Sequence, residues 1–261
     1  MYPLASVEPN AHDMLGMKLH HVGEDDVHHY IERVVAENKQ ALILNLNIHA
    51  VNLGLKNEWY RNFVNSGQMV FCDGDGVRWG LRCLGINPPP KVTYNVWMWN
   101  LGAFCQQKGF SLYFLGGMPG VAQKAKERML MRFPNLKILG ARDGYFQKTG
   151  PETEQVIEDI NRLKPDILIV GFGMPIQEKW IQEYHSKLFV HIFCNGGAAF
   201  DFISGRVKRA PEWIIKAEME WIYRLYQEPR RLFKRYIVGN PYFFFHILKE
   251  KIKRLFCAHR E

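Results

Sequence analysis

Apolar, often β-branched runs recur along the first two hundred residues, at 41–46, 69–72, 111–115, 136–139, 167–170 and 189–194. Each predicts a short strand buried inside a sheet. The stretches between them, notably 97–107, 121–132, 152–163 and 176–187, space their apolar residues for helices. Strand and helix alternating at this interval predict right-handed βαβ units. The expected fold class is therefore α/β, a mostly parallel sheet with helices on both faces. After Ser204 the strand signals stop. Pro211 opens a helical pattern through Gln227, Pro229 restarts it and Pro241 restarts it again, so the chain should end in a three-piece helical appendage. The predicted division is an α/β domain over residues 1–205 and an appendage over 206–261, with no internal repeat.

Ligands of open parallel sheets bind beyond the carboxyl ends of the strands. Those positions are rich in glycine and polar residues: Asn45-Leu-Asn47, Asp73-Gly-Asp-Gly76, Gly116-Gly-Met-Pro-Gly120, Asp143-Gly-Tyr-Phe146, Gly171-Phe-Gly-Met-Pro175 and Asn195-Gly-Gly197. Any one of these glycines is explained by turn geometry. Six such ends in one crevice make a nucleotide-sized site. A dinucleotide is disfavoured, because Gly171-x-Gly173 has Ile176 at the third glycine position and follows the fifth strand. Gly116, Gly117 and Gly120 can present backbone N–H groups to phosphate, and no Walker lysine accompanies them.

Composition narrows the setting. The chain has 261 residues, 47% hydrophobic and 23% charged, which excludes disordered and fibrous classes. Its five cysteines, at 72, 83, 105, 194 and 257, include no C-x-x-C pair, so a reducing, cytoplasmic compartment is expected. The first sixteen residues are broken by Pro3, Glu8, Pro9, Asn10 and Asp13 and do not read as a secretion signal. The most apolar late stretch, 237–248, contains Gly239, Asn240 and Pro241 and is too short to span a bilayer.

Charge is uneven. Residues 206–261 hold 14 Lys and Arg against 6 Glu, equal to the whole chain's excess of +8, and 11 of the 35 aromatics. Such a tail fits a nucleic-acid surface, with cations on phosphate and rings on bases. It fits equally an amphipathic membrane-surface segment, or a helical core face with a solvated basic side.

Several stretches together resemble one bacterial family, the WecG/TagA/CpsF glycosyltransferases. They are Asn47, 71–76, 114–120, 143–146, 165–180, 196–201, Arg209-Ala-Pro211, and 220–224 through 228–231, with the similarity running from about residue 40 to 236. The resemblance implies a Rossmann-like catalytic domain that moves a hexosyl residue, N-acetylmannosamine among the candidates, from a UDP-sugar. The acceptor would be an undecaprenyl-diphosphate-linked sugar, in cell-surface polysaccharide or teichoic acid synthesis at the inner face of the cell membrane. It implies no cofactor, an inverting mechanism, and an appendage that closes over the site and meets an anionic membrane.

Residue by residue, the resemblance assigns Asp73 as general base; a strand-end carboxylate followed by Gly74 suits that task. The competing role for Asp73 is to cap the helix starting near Gly76. Tyr145 would stack on uracil, Asp201 would contact the nucleotide, and Gln177 would lie near sugar or acceptor. Arg224 and Arg231 would stabilise the departing diphosphate, with Arg230, Lys234 and Arg209 as further substrate contacts. Asn45, Asn47, Gly116, Gly117, Gly171, Gly173, Gly196 and Gly197 would line the crevice. Two positions depart from the family: Asn45 stands where many relatives carry threonine, and Lys234 where some carry arginine.

Asp73-Gly-Asp75 is formally a D-x-D, which in other glycosyltransferases holds a divalent cation. The family pattern favours no metal. Two other readings remain at this level, a nucleic-acid-binding protein using the tail and a non-catalytic membrane scaffold. The first leaves Asp73 and the glycine-rich crevice unexplained, and turnover of any UDP-sugar would exclude the second. The oligomeric state, a homo-oligomer included, is open.

Overall fold

A computed structural model describes residues 10–258. Its centre is a six-stranded, all-parallel sheet built from β3 (Ala41–Leu46), β4 (Met69–Cys72), β5 (Ser111–Gly116), β6 (Lys137–Arg142), β7 (Ile167–Gly171) and β8 (Ile192–Asn195), in the order β4-β3-β8-β7-β5-β6. Successive side chains of a strand point to opposite faces, and the core divides accordingly. Leu42, Leu44, Leu46, Val70, Leu115, Leu168 and Val170 face one buried layer; Ala41, Ile43, Phe71, Phe114, Ile167 and Ile169 face the other. Helices cover both. The first layer holds α2 (Ile48–Lys56), α3 (Glu58–Ser66), α7 (Pro151–Leu163) and α8 (Ile176–Tyr184), and the second holds α1 (Glu24–Ala36), α5 (Tyr94–Lys108), α6 (Val121–Arg132) and α9 (Ala199–Ile203). The α/β class read from the sequence is the fold observed.

Two strand boundaries differ from expectation. The run at 136–139 begins an edge strand that continues to Arg142, where one-sided exposure dilutes the apolar signal. The run at 189–194 starts too early, because Phe189 is exposed in the loop and pairing begins at Ile192. An antiparallel hairpin, β1 (Ala11–Met14) and β2 (Met17–His20), was not anticipated. Its turn residues Leu15 and Gly16 both take positive φ, 54° and 86°, as a tight hairpin turn requires. It shields the sheet edge at β4, where the Val70 N–H donates to His20 Nδ1 at 2.8 Å.

The tail is helical in a different division from the one the prolines suggest. Pro211 precedes a short helix, α10 (Glu212–Lys216), which breaks at Glu218 (φ 58°) before α11 (Glu220–Gln227). Pro229 does open α12 (Pro229–Phe233), but Pro241 starts nothing. A π-helical turn at Lys234–Val238 joins α12 to α13 (Gly239–Ala258), with Pro241 inside the first turn of α13. The wider turn accommodates a residue that lacks an N–H and crowds the carbonyl four residues back. Phe243 and Ile247 of α13 are buried in the first layer, with Phe243 against Gly80 of α4 (Asp75–Cys83). The tail thus shares the core of the sheet it covers. Among the described residues no helix is long and apolar enough to cross a membrane.

Candidate active site

Because all six strands run one way, the loops after them emerge along one edge, and hydrogen bonds link them in an unbroken series. Asn45, the penultimate residue of β3, and Asn47, just after the strand, donate to Asp73 Oδ2 at 2.7 and 3.2 Å. The Asn45 N–H donates at 3.0 Å to Oδ1 of Asn195, the last residue of β8. Gln177 Oε1 accepts the N–H groups of Gly197 and Gly173, both at 3.1 Å, joining the β8 and β7 loops. The Gly117 N–H donates to Gly171 O, and the Gly144 N–H to Gly117 O, both at 2.9 Å, adding the β5 and β6 loops. At Gly116 backbone meets backbone: at φ 145°, a Cβ there would lie 2.4 Å from Gly171 O.

Asp73 sits at the centre of the β3–β4 end. Its N–H extends the ladder to Leu46 O at 3.0 Å, and Gly74 turns the chain at φ 91° into α4. The cap position of α4 is Gly74 and carries no side-chain hydrogen bond, so Asp73 does not cap that helix. Its carboxylate faces the two asparagines instead. Asn47 is oriented by its own role as the cap of α2, its Oδ1 accepting from the Ala50 N–H at 3.1 Å. Burial pushes the Asp73 carboxyl above the ordinary aspartate range; the Asn47 amide, the Arg235 guanidinium, the Asn45 amide and the Arg224 guanidinium pull it back without cancelling that effect. Asn45 Oδ1 is itself buried without a hydrogen-bond partner.

The tail brings cations to this carboxylate. Arg224 stacks its guanidinium 5.1 Å over the Phe202 ring, and Arg235 lies in the π turn, just before Gly239 at the start of α13, whose O accepts from the Asn52 amide of α2 at 2.7 Å. The Nε atoms of both arginines are buried and unpartnered, which leaves two donors prepared for an anion. Glu220 joins the cluster, accepting from Asn95 Nδ2 at 2.7 Å. Its carboxyl is raised by burial, against the pull of Arg209, Arg224 and Lys91. The other tail cations lie further out. Arg231 pairs with Glu228 at the surface, and Arg230 and Lys234 are exposed.

Sequence reasoning passed over Arg235. A signal existed, since positions 224, 231 and 235 repeat at helical spacing, but the π turn that sets the direction of residue 235 has no sequence signature of its own. Asp75 is engaged by Lys91 at 2.8 Å and Arg78 at 3.3 Å. Among the described residues no three His, Cys, Asp or Glu side chains are grouped to hold a metal.

In the loop after β6, Tyr145 is 70% exposed, an aromatic face presented to solvent. Lys148, also missed, shapes its loop by donating to Gly144 O and Phe146 O at 2.6 and 2.7 Å. Asp201 is buried and paired with Arg206 at 2.9 Å. Gln177 is fully buried, and its Nε2 donates to Glu178 Oε1 at 2.8 Å, so it binds loops together beneath the crevice instead of facing it. Glu178, equally buried, also accepts from Asn195 Nδ2 at 2.9 Å, and its carboxyl is raised by burial.

The sequence model of the family described as "Glycosyl transferase WecG/TagA/CpsF family" matches residues 12–256. A Bacillus subtilis (strain 168) protein named N-acetylglucosaminyldiphosphoundecaprenol N-acetyl-beta-D-mannosaminyltransferase is 30% identical over 234 residues, 89% of this chain and 88% of its own length. A Staphylococcus aureus (strain MW2) protein of the same name is 26% identical over 211 residues, 81% of each chain. With the sheet, the strand-end carboxylate and the covering tail all in place, this chain belongs to the WecG/TagA/CpsF family of glycosyltransferases.

Proposed function

We propose that the chain transfers N-acetylmannosamine from a UDP-linked donor to the N-acetylglucosamine of an undecaprenyl-diphosphate-linked acceptor, by one inverting displacement and without a bound metal. The observation that carries the reading is Asp73: a carboxylate raised by burial, held through one oxygen by two asparagines, with arginines 224 and 235 on the tail side. Both amides meet Oδ2, which leaves Oδ1 for the acceptor hydroxyl. As that oxygen attacks the anomeric carbon, its proton passes to Asp73 and the bond from carbon to the UDP oxygen breaks. Arg224 and Arg235 offset the charge that develops on the leaving diphosphate. Their presence, and the engagement of Asp75 by Lys91 and Arg78, support a metal-free mechanism.

Tyr145 would carry the uracil, the Gly116–Gly117 turn the phosphates, and Asp201 the ribose or imide edge. Along α13 the exposed Phe245, Leu248, Ile252, Leu255 and Phe256, flanked by Lys249, Lys251 and Lys253, suit an anionic membrane surface, where the lipid acceptor resides. The test is a panel of UDP-sugars against a short-chain polyprenyl-diphosphate-linked N-acetylglucosamine, read by product mass. UDP-N-acetylmannosamine should give the mono-glycosylated product; exclusive use of another donor would overturn the assignment of the sugar.

A further inference from the structure

Beside the Asp73 crevice lies a groove of about 340 Å³ that none of the strand-end glycine turns lines. Its walls are Asn95, Trp99 and Asn100 of α5, Arg132 at the end of α6, Phe202 of α9 and Arg209. Its volume falls at the lower end of the range for small-molecule sites, about 300–1,000 Å³. The composition is specific. Trp99 offers an aromatic face, with the Arg132 guanidinium 5.2 Å from its ring centroid, and two amides stand beside it. Among the described residues neither Arg132 nor Arg209 is within 4 Å of a carboxylate; Arg132 rests on the Trp99 and Phe133 rings and Arg209 acts on Glu220 only at longer range, so both can still donate to an anionic ligand.

Two residues form a partition shared with the crevice. Asn95 donates from Nδ2 to Glu220 while its Oδ1 is buried and unpartnered. Phe202 lines the groove, and its ring also carries Arg224. A molecule seated in the groove would therefore lie one side chain away from the groups that face Asp73.

We propose that this groove is the acceptor-side subsite, holding the diphosphate-bearing end of the lipid-linked saccharide. Arg132, braced on the Trp99 ring, and Arg209 take the phosphates, and Asn95, on the partition, hydrogen-bonds the sugar as it extends from the groove toward Asp73. This rests on the glycosyltransferase reading above and adds where the second substrate binds. A donor-sugar pocket would instead be lined by the glycine turns after β5, β7 and β8, which this groove is not.

The test uses the full chain with Trp99→Ala and Arg132→Ala; Arg132 is exposed, and because Trp99 packs half-buried against the second core layer, each variant's thermal unfolding is measured alongside to show that it is folded. Each should raise the KM for a short-chain polyprenyl-diphosphate-linked N-acetylglucosamine about tenfold, with kcat and the donor KM within about twofold of the parent. A rise in the donor KM alone, or no change in either, overturns the proposal. Calorimetric titration of the same acceptor without donor should show the same loss, with UDP binding intact; equal acceptor affinity in parent and variants also overturns it. The two readings fail differently. Normal transfer by the parent with unaffected variants removes only the groove, whereas a parent that neither transfers to the acceptor nor binds it removes the wider function and the groove with it.

Discussion

Replacing Asp73 by asparagine should lower turnover and raise stability at once, because one feature of the site causes both. Burial raises the folded pKa of this carboxyl despite the asparagines and arginines that pull it down. The folded protein then holds the proton more tightly than the unfolded chain does. The ionised carboxylate therefore costs stability, progressively as pH rises from the unfolded value of about 4 through the folded one, and fully above it. Asp73→Asn keeps an oxygen for the Asn45 and Asn47 amides and removes that cost. Lost attraction to Arg224 and Arg235 is already contained in the net upward direction. Each unit of upward displacement corresponds to about 1.4 kcal/mol at full ionisation, and a gain of 1 kcal/mol moves Tm by roughly 2–4 °C in a chain of this size. Turnover should fall about 100- to 10,000-fold, the usual contribution of a positioned base. Thermal unfolding at pH 8 and pH 4, paired with initial rates, reads both effects. The variant should melt higher than the parent at pH 8 and level with it at pH 4. Turnover within a few fold of the parent, or a lower Tm at pH 8, would refute the reasoning.

Arg235→Gln should raise the Asp73 pKa further by removing a nearby cation, moving the acid limb of the rate profile to higher pH, and should lower kcat about 10- to 100-fold through poorer stabilisation of the leaving diphosphate; an unmoved limb in a pH–rate series would exclude that contact. Gln177→Ala leaves the Gly173 and Gly197 N–H groups unpaired, at about 1–3 kcal/mol each, so chemical denaturation should show a loss of roughly 2–5 kcal/mol; near-parental stability would mean the loops hold without it. Changing Lys249, Lys251 and Lys253 together to glutamate should abolish flotation with anionic vesicles, at roughly 1 kcal/mol per lysine, and parental binding should itself fade with added salt. Salt-insensitive flotation of the parent would point to apolar insertion alone.

The central sheet was readable because its strands, apart from the edge strand β6, are buried on both faces and so appear as unbroken apolar runs. The hairpin at Ala11–His20 was not, since two four-residue strands carrying histidines and an aspartate show neither a run nor a clean alternation. Asp73, Asn45 and Asn47 were legible by position, as polar residues placed just where β3 and β4 end. Side-chain direction was not. Gln177 and Tyr145 follow strands consecutive in the sequence, β7 and β6, yet one is fully buried as a clasp and the other stands in solvent. Proline punctuation misled at Pro241, where a π turn absorbs the break and brings Arg235, not its neighbour Lys234, beside Asp73. The groove at Trp99 and Arg132 joins residues 33 positions apart with others beyond residue 200, a proximity only the packing of α5, α6 and α9 creates.

The most direct test of the account is the anomeric configuration of the product made from UDP-N-acetylmannosamine and a soluble polyprenyl-diphosphate-linked N-acetylglucosamine in the presence of a chelator, determined by proton NMR. Direct displacement with Asp73 as base predicts a β-linked product formed at an undiminished rate by the parent and barely at all by Asp73→Asn. An α-linked product, or a rate that collapses with chelator and returns with added divalent cation, would contradict it.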